Sequence, residues 1–249
     1  QPARDITLAA FRAEEASSWF RGDFTSHIGS RAALGMVDPQ ELHRAHHIRT
    51  GRTMHACMAG SGMCPQDIRL GHRAIDPSRC QGFLELHIEQ GPVLVERGLP
   101  VGVVTGIRGS ARAREAIIRG QDAHSGAVPH EYRHDAVLAG TEFCYRMDQA
   151  WAGVRAEGGD LVFTVGRLCT NPQRHSITKV PGWLDFSVDL RSQDTATLER
   201  MVALARALAQ EIGAARRVMI DLGTFNVSHP SVMDPGLVNS LTDACTWLD

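Results

Sequence analysis

The sequence predicts an α/β protein in which two pieces of one α/β domain flank a smaller inserted domain. An apolar run without alternation, ITLAAF at 6–11, is typical of a strand that is covered on both faces of its sheet. A second run, FLELHIE at 83–89, alternates between apolar and polar side chains and also predicts a strand. The character of the sequence changes after this strand. The chain therefore divides into three parts: residues 1–102, 103–228 and 229–249.

The first part contains one further predicted helical segment and one predicted loop. Asp38 is a suitable N-cap for a helix that has Pro39 at its first position, so we expect helical structure within 30–49. The stretch GRTMHACMAGSGMCP at 51–65 is rich in Gly, Met and Cys, and we expect a loop there.

The middle part has the element order β-α-β-β-α-β. We expect strands at 111–120, 161–168, 184–192 and 217–225, and helices at 132–151 and after the N-cap Asp194. The third strand, LDFSVDLRS, alternates strictly, which indicates one buried face and one polar face. This order is that of the ferredoxin-like split unit, in which one antiparallel sheet carries two helices on one face.

Composition excludes several classes of partner. The 249 residues include 26 basic and 28 acidic side chains, and no basic run is interleaved with aromatic residues, so we expect no nucleic-acid partner. No apolar segment is long enough to span a bilayer, and the first residues lack the pattern of a signal peptide. The six cysteines form no CxxC pair, so we expect free thiols and a cytoplasmic protein.

Two adjacent acids, Glu14 and Glu15, follow the first predicted strand. Ligands bind beyond the carboxyl ends of strands in α/β sheets, and two neighbouring carboxylates can divide metal ligation and proton transfer between them. The residues alone fit a solvated helix start better, where acids favour the helix dipole.

His87 stands between Glu85 and Glu89 on the polar side of the second predicted strand. Imidazole is a common metal ligand, and flanking acids could orient it or share a cation. A hydrogen-bonded histidine without a metal explains the pattern equally well. Gln90 follows directly and offers an amide to a polar ligand group.

The inserted domain contributes two further candidates. His124 lies in a predicted loop, GQDAHSGAVPHEYRHDA at 120–136, where small neighbours leave room for close approach of a ligand. Arg191 lies on the polar face of its strand, and its guanidinium suits a bidentate grip on a carboxylate. The alternative for Arg191 is a structural ion pair with Asp189.

Taken together, several stretches resemble one enzyme family. FRAEEASSWF, FLELHIEQGPVLVERG, VGVVTGIRG, GQDAHSGAVP with RHDA, and VPGWLDFSVDLRS are similar, in this order, to signature stretches of the N-carbamoyl-L-amino-acid hydrolases, allantoate amidohydrolases and β-ureidopropionases. This family belongs to the zinc aminoacylase and carboxypeptidase group. The resemblance implies a metallopeptidase-like catalytic domain with an inserted lid that also forms a homodimer.

The resemblance also implies a role for each candidate. Glu14 would be the general base, and Glu15 and His87 would be ligands in a site for two divalent ions, which are zinc, manganese or cobalt. His124 would stabilise the charge on the attacked carbonyl oxygen. The residues implied to contact the substrate are Gln90, Arg191, His175 and Thr178. The expected reaction is hydrolysis of an N-carbamoyl amino acid or ureido acid.

The sequence departs from the family pattern in three ways. No HxD motif precedes Glu14, and the family's last ligand histidine follows a Ser-Gly-Ala-Gly segment that the sequence does not contain. We therefore expect a fragment of a longer enzyme, inactive alone. Thr178 stands where relatives usually have Asn, in the stretch that starts at His175, which leaves substrate identity open. The alternatives are an N-acyl amino acid hydrolase or dipeptidase, and a non-catalytic module that dimerises or binds a small acid.

Overall fold

The computed structural model of the chain describes residues 4–15, 19–21 and 26–248. The chain divides into two compact units, residues 1–88 and 89–249. Each unit has a hydrophobic core of its own. No helix in the described ranges is long and apolar enough to cross a membrane. All six cysteines are free thiols.

The first unit consists of short helices around a small core. Its elements are β1 (Phe20–Arg21), α1 (Ile28–Ala33), α2 (Glu41–Arg44), β2 (His46–His47), α3 (Met54–Gly60) and α4 (Pro65–Arg69). The two strands pair with each other in an antiparallel ladder. The buried core residues are Ile28, Val37, Leu42, Ala45, Met54 and Met58.

The predicted loop at 51–65 is wrong, because α3 occupies residues 54–60 of it and α4 begins at its last residue. Thr53 caps α3 by accepting a hydrogen bond from the amide of Ala56 at 3.1 Å, and Pro65 is the first residue of α4. The helical structure expected within 30–49 forms as two short helices, α1 and α2, but the expected cap is wrong: α2 begins at Glu41 with Gln40 as its N-cap. Asp38 and Pro39 lie in the turn before it, where the Asp38 side chain accepts from the Gln40 amide at 2.9 Å.

The two strands predicted at 6–11 and 83–89 are also wrong. Neither run pairs with a strand in the part of the chain that the structure describes, and their apolar side chains are exposed, 94% for Leu8 and 97% for Leu86. Alternation shows which side chains share a face, but a strand forms only where another strand supplies its hydrogen bonds.

The second unit contains the larger sheet and the two long helices. Its elements are α5 (Val93–Glu96), β3 (Gly106–Ile107), β4 (Gly109–Arg119), β5 (Ala123–His124), α6 (Ala136–Ala156), β6 (Val162–Thr164), β7 (Leu168–Cys169), β8 (Lys179–Val180), β9 (Trp183–Ser192), α7 (Thr195–Arg216), β10 (Met219–Asp221), β11 (Asn226–Ser228), β12 (Ser231–Val232) and α8 (Pro235–Leu248).

The central sheet has the strand order β10-β4-β9-β6, with every neighbour antiparallel. Taken with α6 and α7, this is the β-α-β-β-α-β order that the sequence predicts. The predicted strands at 161–168 and 217–225 are shorter than expected. Each is interrupted around a glycine, Gly166 or Gly223, and Gly223 has a φ of 61°.

Alternation along the two central strands separates a core face from a polar face. The core face of β9 carries Leu184, Phe186, Val188 and Leu190, each no more than 2% exposed. In β4 a bulge between Ala113 and Ala116 inserts one extra residue, so alanines on both sides of it stay buried. Asp135 and Asp194 cap α6 and α7, each accepting from two backbone amides.

Phe186 joins the sheet to α6, because its ring lies 5.5 Å from the ring of Phe143 at an interplanar angle of 65°. Replacing Phe186 with Ala should lower the free energy of unfolding of the second unit by about 3–5 kcal/mol, since both rings are fully buried. Urea titration followed by tryptophan fluorescence measures this loss. Ile177→Ala is the control, because Ile177 is fully exposed and its truncation should change stability by less than about 0.5 kcal/mol.

Candidate active site

Glu14 is held at the beginning of α1. Its two carboxylate oxygens accept hydrogen bonds from Ser30, one from the hydroxyl at 2.5 Å and one from the backbone amide at 3.0 Å. Ser30 is the third residue of α1, so its amide has no partner within the helix. Glu14 therefore caps α1 although it lies 16 residues before Ser30. Its carboxylate is held in place, and each oxygen keeps a second lone pair that can accept another hydrogen bond.

Gly29 allows this close approach. The backbone amides of His27 and Ile28 donate to the carbonyls of Glu14 and Ala13, which places the chain before Glu14 directly against α1. A Cβ atom on Gly29 would overlap the carbonyl oxygen of Arg12. A glycine at this position is therefore required by close backbone contact.

Glu15 and His87, for which the family resemblance implies ligand roles, meet in the first unit. The Nε2 atom of His87 lies 3.5 Å from Oε1 of Glu15, and the two side chains are 45% and 75% exposed. The Nδ1 atom of His87 lies 2.5 Å from the carbonyl oxygen of Ile88. Since a carbonyl only accepts, Nδ1 carries the proton and the lone pair of the neutral ring is on Nε2.

The hydrogen bond to the Ile88 carbonyl, assisted by the Glu15 carboxylate, raises the pKa of His87 above its ordinary value. A backbone carbonyl that holds Nδ1 is also the usual arrangement behind a metal-binding imidazole. Two ligand atoms on a tetrahedral cation are about 3.4 Å apart for bonds of roughly 2.1 Å. The His87 and Glu15 atoms therefore fit two ligands of one divalent cation.

A complete cation site needs more ligands than this pair. Among the described residues no group of three or more His, Cys, Asp or Glu side chains is arranged to hold a metal ion. The acid that follows His87 on the same side of its predicted strand does not join the pair, because the Glu89 carboxylate accepts from the amides of Val93 and Leu94 at 2.9 and 3.0 Å. Glu89 thus caps α5.

Gln90, the second residue of the second unit, has an unusual backbone conformation. Its φ is 58°, in the left-handed region that favours glycine, and the residue is exposed. Non-glycine residues held in this region cost of order 1–3 kcal/mol and are concentrated at functional sites. The conformation is therefore consistent with a ligand contact for its amide.

His124 is exposed on β5, and its ring has a defined tautomer. The amide of Gly126 donates to Nδ1 at 3.1 Å, so Nδ1 holds a lone pair and the neutral ring carries its proton on Nε2. The ring therefore presents an N–H donor on the side away from its own loop. A donor of this kind suits an oxygen atom on which negative charge develops.

Asp122, two residues before His124, ties this loop to a second loop. It accepts from Arg174 at 2.6 Å, from Lys179 at 2.9 Å and from the Gly182 amide at 2.8 Å. These hydrogen bonds lower the pKa of Asp122, and the one from Lys179 makes the largest contribution to the shift. This role of Asp122 could not be predicted from the sequence, because its partners lie 50 or more residues away.

His175 and Thr178 belong to that second loop. The Nδ1 atom of His175 lies 2.9 Å from the Thr170 hydroxyl, and the Thr178 carbonyl accepts from the Ser125 amide at 3.0 Å. β5 also pairs with β8, so His124 lies opposite Lys179. The structure thus brings the predicted residues His124, His175 and Thr178 into one pair of linked loops.

Arg191 forms the ion pair that the sequence offered as an alternative. Its Nε and Nη2 atoms donate to Oδ2 of Asp189 at 3.0 and 2.9 Å. Arg112, a residue that sequence reasoning missed, donates from Nε to Oδ1 of the same carboxylate at 3.2 Å.

Known proteins are similar to this chain in sequence and in fold. The chain is 31% identical over 238 residues to an uncharacterized hydrolase of Haemophilus influenzae, which is 96% of the chain and 55% of that protein. It is 30% identical over 243 residues to an N-carbamoyl-L-amino acid amidohydrolase of Geobacillus stearothermophilus (98% and 56%). It is 29% identical over 248 residues to the allantoate amidohydrolase of Escherichia coli (98% and 56%). No family model matches the chain.

The solved structures agree. An amidase of the hydantoinase/carbamoylase family from Burkholderia phymatum matches with a TM-score of 0.73 and 29% identity, over 90% of this chain and 53% of that one. The chain belongs to the hydantoinase/carbamoylase family of amidases. This confirms the family expected from the ELHIEQGP and GQDAHSG stretches. The chain spans about half the length of the curated relatives that it matches.

Gly29 gives a test of how the acid pair of this chain is positioned. Glycine-to-alanine substitution in a helix usually stabilises it by about 0.5–1 kcal/mol. Gly29→Ala should instead destabilise the first unit by roughly 1–3 kcal/mol through overpacking, and should accelerate hydrogen exchange at the Ser30 amide. Mass-spectrometric or NMR exchange measures this rate.

Gly153→Ala is the matched control for Gly29→Ala, because a Cβ atom there meets open space in α6. This variant should leave Ser30 exchange unchanged. Equal Ser30 exchange in Gly29→Ala and wild type would refute the contact between Glu14 and α1.

Asp122 gives a prediction about pH. Because its folded pKa is lowered, its stabilisation is complete above the ordinary aspartate pKa of about 3.9 and is lost as pH falls through the folded value. Asp122→Asn should therefore cost roughly 1–3 kcal/mol of unfolding free energy at pH 7, and much less near pH 2–3. Denaturant titrations at several pH values measure the difference.

Asp148→Asn removes an exposed acid of α6 and serves as the control for Asp122. Its effect should be small at every pH. A loss in Asp122→Asn that did not change with pH would show that the ion pairs of Asp122 contribute no stability.

Proposed function

We propose that the protein acts as a metal-dependent amidohydrolase on the carbon–nitrogen bond of an N-carbamoyl amino acid or ureido acid. The observation that carries this proposal is the pairing of His87 Nε2 with Glu15 Oε1. The residue before Glu15 is Glu14, whose carboxylate is held by Ser30. The names of the Geobacillus and Escherichia relatives, an N-carbamoyl-L-amino acid and an allantoate amidohydrolase, support the substrate class.

Glu15 and His87 are the residues of this chain that would hold a divalent cation. Zinc, manganese and cobalt all accept one carboxylate and one imidazole ligand, and the family resemblance suggests two ions in the complete site. A cation of this kind supplies a Lewis acid and lowers the pKa of the attacking water. The Ile88 carbonyl keeps the His87 lone pair on Nε2, where it can bind a cation.

Glu14 acts as the general base in this proposal. Ser30 occupies one lone pair on each of its oxygens, so the carboxylate is oriented while a second lone pair can take a proton from water. The same carboxylic acid then returns the proton to the leaving nitrogen. Without that protonation the nitrogen would have to leave as an anion.

His124 donates from Nε2–H to the attacked carbonyl oxygen, on which negative charge grows. Arg191 binds the carboxylate of the substrate, and Gln90, His175 and Thr178 contact its remaining polar groups. We also propose that the protein forms a homodimer through residues 103–228, as the family resemblance implies. Sedimentation velocity tests the dimer independently of activity.

Activity assays test the reaction. With zinc, manganese or cobalt added, the full-length protein should release ammonia from allantoate or an N-carbamoyl-L-amino acid, and a chelator should reversibly abolish this release. Glu14→Gln should reduce kcat by at least about 100-fold while the protein still binds the metal. Metal binding is measured separately by equilibrium dialysis and elemental analysis.

Asp67→Asn is the control for Glu14→Gln, since it removes an exposed carboxylate of the same unit. Unchanged activity in Glu14→Gln would overturn the assignment of the base. Release of acetate from N-acetyl amino acids in place of ammonia from carbamoyl substrates would favour an acylase or dipeptidase. Binding of a small acid without turnover in the presence of metal would favour a non-catalytic module.

A further inference from the structure

The polar face of the sheet in the second unit carries a row of charged and polar side chains. The strand registers place Asn226, Arg112, Asp189 and Thr164 opposite one another on β11, β4, β9 and β6. Residues directly opposite in antiparallel strands project to the same face, and Arg191 projects there too because it is two residues after Asp189. The row therefore lies opposite the face that forms the core.

Asp189 is shared by two guanidinium groups. Oδ1 accepts from Arg112 Nε at 3.2 Å, and Oδ2 accepts from Arg191 Nε and Nη2 at 3.0 and 2.9 Å. Each carboxylate oxygen is therefore committed to a different arginine. Both planar guanidinium groups are oriented by one acid.

The arrangement has an excess of positive charge. Arg191 with Asp189 alone is a neutral pair, which has little attraction for an anion. Arg112 adds a second cation, so the three groups together carry one positive charge. Asp185, on the same face of β9, accepts from the indole N–H of Trp183 at 2.7 Å and from neither arginine.

The group is also accessible and has free donors. The side chains of Arg112, Asp189 and Arg191 are 37%, 26% and 48% exposed. Among the described residues, Nη1 and Nη2 of Arg112 and Nη1 of Arg191 have no hydrogen-bond partner. The neighbours Thr164 and Asn226 are exposed and can donate further hydrogen bonds.

We propose that Arg112 is a second carboxylate-binding residue beside Arg191, and that Asp189 is the positioning residue that holds both guanidinium groups. The ligand class is a small monocarboxylate, which the single excess charge matches. The inference rests on the proposed function in one respect, because in the proposed reaction the bound carboxylate belongs to the substrate. A purely structural ion pair would affect stability without favouring an acid over its amide.

Kinetics with a matched pair of substrates tests this role. The ratio of kcat/KM for N-carbamoyl-L-alanine to that for N-carbamoyl-L-alaninamide measures recognition of the carboxylate. Arg112→Met should reduce this ratio by about 10–100-fold, mainly through a higher KM for the acid, and Arg191→Met should do the same. Asp189→Asn should also reduce the ratio, because both guanidinium groups lose their common anchor.

Arg119→Met is the control, because Arg119 lies on the same strand but stacks on the ring of Trp183. It should change the ratio by less than about twofold. An unchanged ratio in Arg112→Met, with Arg191→Met impaired, would overturn the role of Arg112.

A binding measurement separates this inference from the proposed reaction. The Nε–Hε signals of Arg112 and Arg191 in the 15N-labelled 249-residue chain should both shift when N-carbamoyl-L-alanine is added, and neither should shift with the amide. Both shifts without any hydrolysis would leave the inference standing while the proposed function fails. A shift of Arg191 alone would reject Arg112 as a binding residue, whatever the activity.

Discussion

The pairing of β4 with β9 is the constraint on which the second unit depends. It fixes which side chains of both strands enter the core, so Phe186 and Ile118 pack under α6 and α7 while Asp189 and Arg112 remain on the opposite face. A slip of one residue would exchange these sets and bury two charged groups. The bulge in β4 belongs to the same constraint, because it restores the alternation after Arg114 and Glu115 interrupt it.

The sequence predicts this unit well because its signals are local. Strict alternation in 184–192 and the N-cap Asp194 of α7 each act within one element. The first unit was predicted poorly, since its short helices lie in glycine-rich sequence and its apolar runs lack partner strands. Periodicity identifies a face but carries no information about whether another strand will be present beside it.

The same distinction applies to the candidate site. Residue type and neighbours made Glu14, Glu15, His87 and His124 candidates, but only the family resemblance gave them roles; the structure places Glu15 beside His87. The groups that orient them were not visible, because Ser30 is 16 residues from Glu14 and Asp122 acts on a loop more than 50 residues away. Arg112 carried no signal either, since an arginine on a strand is ordinarily a solvated residue.

The three hydrogen bonds that Asp122 accepts affect how this protein tolerates substitutions at the donor residues. Arg174 and Lys179 both pair with the Asp122 carboxylate, so if either is lost the other still neutralises its charge. If both are lost, the carboxylate keeps only the hydrogen bond from the Gly182 amide. Substitutions at these two positions are therefore epistatic, and their combined effect exceeds the sum of the separate ones. Residues 122, 174 and 179 are expected to vary together among related sequences. A chimera that takes these loops from another protein must take all three residues.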